Sequence, residues 1–153
     1  MSEHIRKCHN VSLLLYHLVC PTKYRCAVID ADVESVLKSV CFEISNRYEI
    51  AFIEIGSDHD HVHFLIQSVP TMSPTRIAQT VKSITGREIF RRAPSVKKQL
   101  WGGAFWSSSF YINTVGQHGN EETVSEYIAS QGRSAEYKKI HKEPVRLNQL
   151  ELF

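Results

Sequence analysis

Two histidines one residue apart, in Asp58-His59-Asp60-His61-Val62-His63-Phe64-Leu65-Ile66-Gln67, are where side-chain types and spacing in this chain could first do chemistry. In an extended strand successive side chains point to opposite faces. His61 and His63 therefore share one face, while Val62, Phe64 and Ile66 enter a core on the other. Two neutral imidazoles side by side can hold one cation. The chain has eight histidines, so a pair this close also arises by chance, and without further partners it reads more readily as a polar strand face. His59 and Asp60 are placed in the preceding turn, because a strand running back through them would point Asp60 with Val62 toward the core. From there Asp58 or Asp60 could orient a ligand imidazole.

A second group carries charge. Residues 29–60 hold two basic and eight acidic side chains, a net −6, whereas residues 71–100 hold seven basic residues against Glu88 alone, a net +6. Arg76, Lys82, Arg87, Arg91, Arg92, Lys97 and Lys98 on one face would attract phosphates, although a solvated helix face explains the same pattern. Trp101, Phe105 and Trp106 either stack on unpaired bases or pack beneath a sheet. Cys8, Cys20, Cys26 and Cys41 form no CxxC pair, and read as reduced thiols rather than as a zinc or redox motif.

The elements that must position these residues follow from periodicity. Residues 10–20 are rich in β-formers and end at Pro21, giving a first buried strand. Val33, Val36, Leu37, Val40, Cys41 and Ile44 recur at helical spacing behind Asp30 and Asp32, giving a helix from Asp30 to about Arg47. Residues 49–56 alternate loosely and form a hairpin with the histidine strand through a turn at 57–60. Thr75 to about Arg92 resumes helical spacing, a linker follows Pro94, and residues 105–115 form a fourth strand. Strand, helix, strand, strand, helix, strand is the ferredoxin-like split βαβ order, an α+β fold with one antiparallel sheet and both helices on one face. That arrangement leaves the other face free for a ligand or partner. A further helix opens near Asn120, with Tyr127 and Gln131 one turn apart on it and Gly132 at its end.

Composition bounds the reading. Of the 153 residues 42% are hydrophobic and 22% charged, as in one compact domain of ordinary globular usage. It divides into a core at about 10–119, the helix at 120–132 and a polar tail at 133–153 with no chemistry of its own. The run from Val11 to Cys20 is too short to span a bilayer, and the charged N-terminal residues do not read as a cleavable signal, so no membrane is expected and the cytoplasm is the default location.

Three motifs in order carry a resemblance. His61-Val62-His63 after a hairpin strand, Leu100-Trp101-Gly102-Gly103 with Phe105-Trp106, and Tyr127-Ile128-Ala129-Ser130-Gln131 together resemble the single-tyrosine HUH transposases of the 200/605 group of bacterial insertion sequences. Residues 18–25 are similar to that family's first strand and turn, with Cys20 where an aromatic residue is more usual. The resemblance runs from about residue 10 to 131. It implies a transposase that cuts and rejoins single-stranded DNA at hairpin-bearing element ends, as a homodimer in which one subunit's tyrosine helix serves the other's histidine strand. It implies Tyr127 as the nucleophile, forming a 5′-phosphotyrosine, and a divalent metal, Mg²⁺ or Mn²⁺, on His61, His63 and Gln131. It also moves Lys82, Arg87, Arg91 and Arg92 toward DNA contact.

The chemistry suits these residue types. A phenol of pKa near 10 attacks a phosphodiester well only if the phenolate is favoured or the phosphate activated. Two imidazoles and an amide would leave a cation's charge uncompensated, to act on a phosphate oxygen. The phosphotyrosine conserves bond energy, so no nucleotide cofactor is expected, and no Walker-type loop occurs. A domesticated relative, or a replication or relaxase-type HUH nicking enzyme, would carry the same site. A non-catalytic ferredoxin-like RNA-binding module is the reading from a different class.

Overall fold

A computed structural model describes residues 6–7, 10–11, 14–101, 103–115 and 138–142. A two-residue ladder pairs β1 (Arg6–Lys7) with β2 (Asn10–Val11). The main chain of elements is then β3 (Leu14–Pro21), α1 (Ala31–Arg47), β4 (Ile50–Asp58), β5 (His61–Ser68), α2 (Pro74–Arg92), α3 (Pro94–Gln99), β6 (Tyr111–Val115) and β7 (Lys138–Lys142). The five long strands form one antiparallel sheet in the order β6-β3-β5-β4-β7. Its first four members have the strand order of the split βαβ fold.

The helices start where capping chemistry allows. Asp30 accepts a hydrogen bond from the Val33 amide at 2.9 Å at the start of α1, and Ser73 accepts one from the Arg76 amide at 3.1 Å, with Pro74 following at the first helical position. Val33, Leu37, Val40, Cys41 and Ile44 of α1 and Ile77, Ala78, Val81 and Ile89 of α2 are buried. They join Leu18, Cys20, Phe52, Val62, Phe64 and Ile66 from one face of the sheet in a single core. Arg92 ties the two helices together, its Nη2 lying 2.8 Å from Glu43 on α1 and 2.9 Å from Glu88.

Four expectations change. The second face of the sheet is not open: Leu15, His17, Ala51, Leu65 and Gln67, which share it, are all buried. Leu15 and Leu65 supply apolar side chains to this face, beside the buried polar His17, His63 and Gln67. Residues 94–99 form the short helix α3 rather than a linker, since proline starts a helix as readily as it ends one. The fourth strand covers only Tyr111–Val115, while residues 103–110 run irregularly, bridging through Trp106 to Thr22 just beyond β3 and through the Ser107 amide to the Pro21 carbonyl at 2.9 Å. Part of the 133–153 tail is the fifth strand, which pairs with β4 and sets Lys139 Nζ 3.5 Å from the buried Glu54 carboxylate. The helix expected at 120–132, with Tyr127, Gln131 and Gly132, lies outside the described residues.

Candidate metal centre

The hairpin of β4 and β5 turns through His59 and Asp60 alone. Asp58 pairs directly with His61, and Gly56 with His63. Directly paired residues of adjacent strands share a face, so the register places the Asp58 carboxylate beside both imidazoles. Asp58 Oδ2 lies 2.7 Å from His61 Nε2 and 3.9 Å from His63 Nε2. The two rings have centroids 4.8 Å apart. One ligand atom from each of the three residues falls within 4.8 Å of the others, so Asp58, His61 and His63 could hold a metal ion.

Each ring is also anchored at its other nitrogen. His61 Nδ1 donates to Asp60 Oδ1 at 2.7 Å, and the second oxygen of Asp60 accepts from Arg25 Nε at 3.1 Å. Partial burial pushes the Asp60 carboxyl up, but the hydrogen bonds from His61 and Arg25 and their charges outweigh it and hold the group below its ordinary range. His63 Nδ1 lies 3.1 Å from Nε2 of His17, on the neighbouring strand β3. Those two rings are within 15° of coplanar with centroids 5.3 Å apart, the geometry of an in-plane N–H···N bond rather than a face stack.

Burial lowers the His17 pKa to about 4. Burial, then the charges of His61 and His17, lower that of His63 to about 3. Both are neutral near pH 7, the form in which an imidazole ligates a cation. In the tautomer that carries its proton on Nδ1, His63 donates to His17 and presents the Nε2 lone pair toward Asp58 and His61. The donor set is two imidazole nitrogens and one carboxylate oxygen, with ring orientation held from behind, which fits a divalent cation.

Residues 10–131 match the protein family described as "Transposase IS200 like". The chain belongs to this family. The ISDra2 transposase TnpA of Deinococcus radiodurans is 31% identical over 118 residues, 77% of this chain and 84% of that protein. The transposase for insertion sequence element IS200 of Salmonella typhimurium is 23% identical over 116 residues, covering 76% and 75%. A 1.90 Å crystal structure of a Deinococcus radiodurans R1 protein assigned as a transposase superposes with a TM-score of 0.66 at 27% identity, over 84% of this chain and 98% of that one. The chain is thus a transposase, an enzyme acting on DNA, on an α+β antiparallel fold. Among the described residues no helix is long and apolar enough to cross a membrane.

The four cations assigned to DNA contact part company in the transposase. Arg91 and Arg92 hold Glu88, and Arg92 also holds Glu43. Lys82 Nζ donates to the carbonyls of Ser108 and Ser109 at 3.2 and 3.3 Å and sits 5.2 Å from the Phe110 ring. Arg87 stands exposed. With Lys82 it borders a cavity of about 540 Å³ between α2 and residues 103–110, lined by Phe90, Phe105 and Phe110. The aromatics divide too: Phe105 and Trp106 are buried, the Trp106 indole donating to Thr85 Oγ1 at 2.9 Å, while Trp101 is exposed.

Sequence reasoning names Asp58 only as a turn residue that could orient a ligand imidazole, and leaves His17 out. A two-residue hairpin turn at 59–60 necessarily puts residue 58 opposite residue 61, so the signal for Asp58 as a donor is present. His17 had no such signal, because its approach to His63 depends on the β3–β5 register.

Proposed function

We propose that the transposase cleaves and rejoins single-stranded DNA at hairpin-bearing insertion-sequence ends, with Tyr127 as nucleophile and Mg²⁺ or Mn²⁺ on His61 and His63, joined by Gln131. The observation that carries this reading is the convergence of His61 Nε2, His63 Nε2 and Asp58 Oδ2, each ring anchored at its far nitrogen. A divalent cation held by His61 and His63 would supply Lewis-acid polarisation to the scissile phosphate. Asp60 and His17 keep the two imidazoles aimed, and Asp58 offers a carboxylate oxygen to the same point. The Tyr127 phenol gives up its proton to solvent as its oxygen bonds to phosphorus and the bond to the 3′ oxygen breaks, and that oxygen takes up a proton from solvent to leave as the 3′-hydroxyl. The reverse attack reseals the strand without ATP. A homodimer that shares the site between subunits belongs to the same proposal.

The test incubates the protein with labelled hairpin-bearing single strands and Mg²⁺ or Mn²⁺, and reads protein-linked DNA on a denaturing gel. Tyr127→Phe is expected to bind the strand and form no adduct, and His61→Ala to lose metal-dependent cleavage. An adduct that survives Tyr127→Phe overturns the nucleophile assignment.

A further inference from the structure

Among the described residues the large aromatic side chains Tyr24, Phe42, Trp101 and Tyr111 are exposed, and two of them meet. Trp101 is 81% exposed and Tyr24 65%, and their rings meet with centroids 5.8 Å apart. Both hang from strained backbone. Tyr24 has φ 58° and Trp101 φ 53°, and Arg25 between them and the histidine turn has φ 55°. These are three left-handed residues with β-carbons, in two loops that touch. Such conformations persist where the surroundings over-determine them, and they cluster at binding sites.

The surroundings here are a tight joint. The Lys23 amide donates to the Phe105 carbonyl at 2.8 Å, and the Thr22 amide to the Asp60 carbonyl at 2.9 Å. Arg25 bonds the carboxylate that in turn holds His61. The aromatic pair is therefore built onto the same turn that aims the candidate metal centre. Its neighbourhood is cationic: Lys23 Nζ lies 5.3 Å from the Tyr24 ring centre, Arg25 is adjacent, and Lys97 and Lys98 close the helix that leads into Trp101. The carboxylate of Asp60 within this patch is already engaged by Arg25 and His61. Flat apolar rings beside Lys23, Lys97 and Lys98, with Arg25 paired to Asp60, match an unpaired nucleobase with its phosphate, because every base has a π-face and every nucleotide an anion.

We propose that Tyr24 and Trp101 form a stacking platform for one unpaired base of the DNA strand, at a nucleotide flanking the phosphate processed at His61 and His63. This rests on the single-strand reading above and adds to it a site for a specific base position. The platform reads no base edge, so it holds any base and serves to set where the strand lies.

The experiment uses full-length protein carrying Tyr127→Phe, so that binding is read apart from chemistry, and strands in which 2-aminopurine replaces one base at a time around the cleavage point. Quenching is expected at one position near that point. Trp101→Ala and Tyr24→Ala are each expected to remove it and to weaken strand binding about tenfold, the scale of one base–aromatic stack, while Tyr24→Phe retains it. Trp101→Gly is expected to lose the quenching with no fall in thermal midpoint, since glycine accepts the left-handed backbone and no buried contact is lost. Normal adduct formation by the Tyr127 protein with no quenched position overturns the platform and leaves the strand-transfer reading standing. Quenching lost only with a midpoint several degrees lower, or with a change of oligomeric state, also overturns it. Platform-dependent quenching without any adduct from the Tyr127 protein keeps the platform and overturns the nucleophile assignment.

Discussion

Replacing Asp60 tests whether the candidate centre is organised from behind. Its Oδ1 accepts from His61 Nδ1 at 2.7 Å, and its backbone carbonyl is held independently by the Thr22 amide and hydroxyl. Asp60→Ala thus removes the ring anchor while the turn keeps its backbone bonds. Loss of such an anchor weakens metal binding by about 10–100-fold, or about 1.4–2.7 kcal/mol. Two companion variants apportion the effect. Asp60→Asn keeps an acceptor oxygen but no charge, and is expected to cost less than about tenfold, since bonds to charged groups are worth roughly twice neutral ones. Arg25 is 63% exposed, so its pair with Asp60 is screened to below about 1 kcal/mol, and Arg25→Ala is expected to change affinity less than about fivefold. Calorimetric Mn²⁺ titration at fixed pH, with circular dichroism to confirm folding, reads all three. An Asp60→Ala protein within twofold of the parent, or a larger loss from Arg25→Ala, would refute the reasoning.

Two further outcomes concern stability. Thr85→Val keeps the side-chain shape but leaves the buried Trp106 indole N–H without its acceptor, at about 1–3 kcal/mol. At about 2–4 °C per kcal/mol for a domain near this size, calorimetry should show a midpoint lower by several degrees, and an unchanged midpoint would count against the bond. Hydrogen bonds from Arg91, then from Arg92, and both charges depress the Glu88 carboxyl from 4.5 to about 2 against a smaller desolvation effect. A depressed folded pKa stabilises above the unfolded value and is lost as pH falls, so this contribution is full above about 4.5 and fades toward 2. Glu88→Gln should flatten the pH dependence of the midpoint in that window, and an unaltered slope would refute the assignment.

The parts of the fold that were legible are those where one periodicity dominates. The α1 spacing through Val33, Leu37, Val40 and Ile44 has a single buried face, and the helix ends at Arg47 as expected. β4 was hard to read for a physical reason: all nine of its residues are buried, and its register slips between Phe52 and Glu54. A strand covered on both faces has no polar side to alternate with. The consecutive Phe64-Leu65-Ile66 run carried the same message, and the expectation of an open second face overlooked it. β7 was illegible because Lys138–Lys142 carries a single aliphatic side chain, Ile140, and its pairing with β4 is a matter of tertiary register rather than local pattern.

The candidate site divides along the same line. Asp58, His61 and His63 lie within six residues of one hairpin, and turn length alone determines that they converge. Such a donor set keeps its spacing whatever moves elsewhere in the chain, since sliding the register by one residue would turn both histidines into the core and expel Val62 and Phe64. The core thereby enforces the geometry of the centre. Two fully buried apolar side chains, Val62 and Phe64, hold the histidines in phase from the other face of the same strand. His17 is different in kind. It comes from β3, and its bond to His63 ties the aim of one ring to the pairing of two strands that are 46 residues apart at this point. The ring aimed by a neighbour in sequence could be foreseen from the chain, and the ring aimed across the sheet could not.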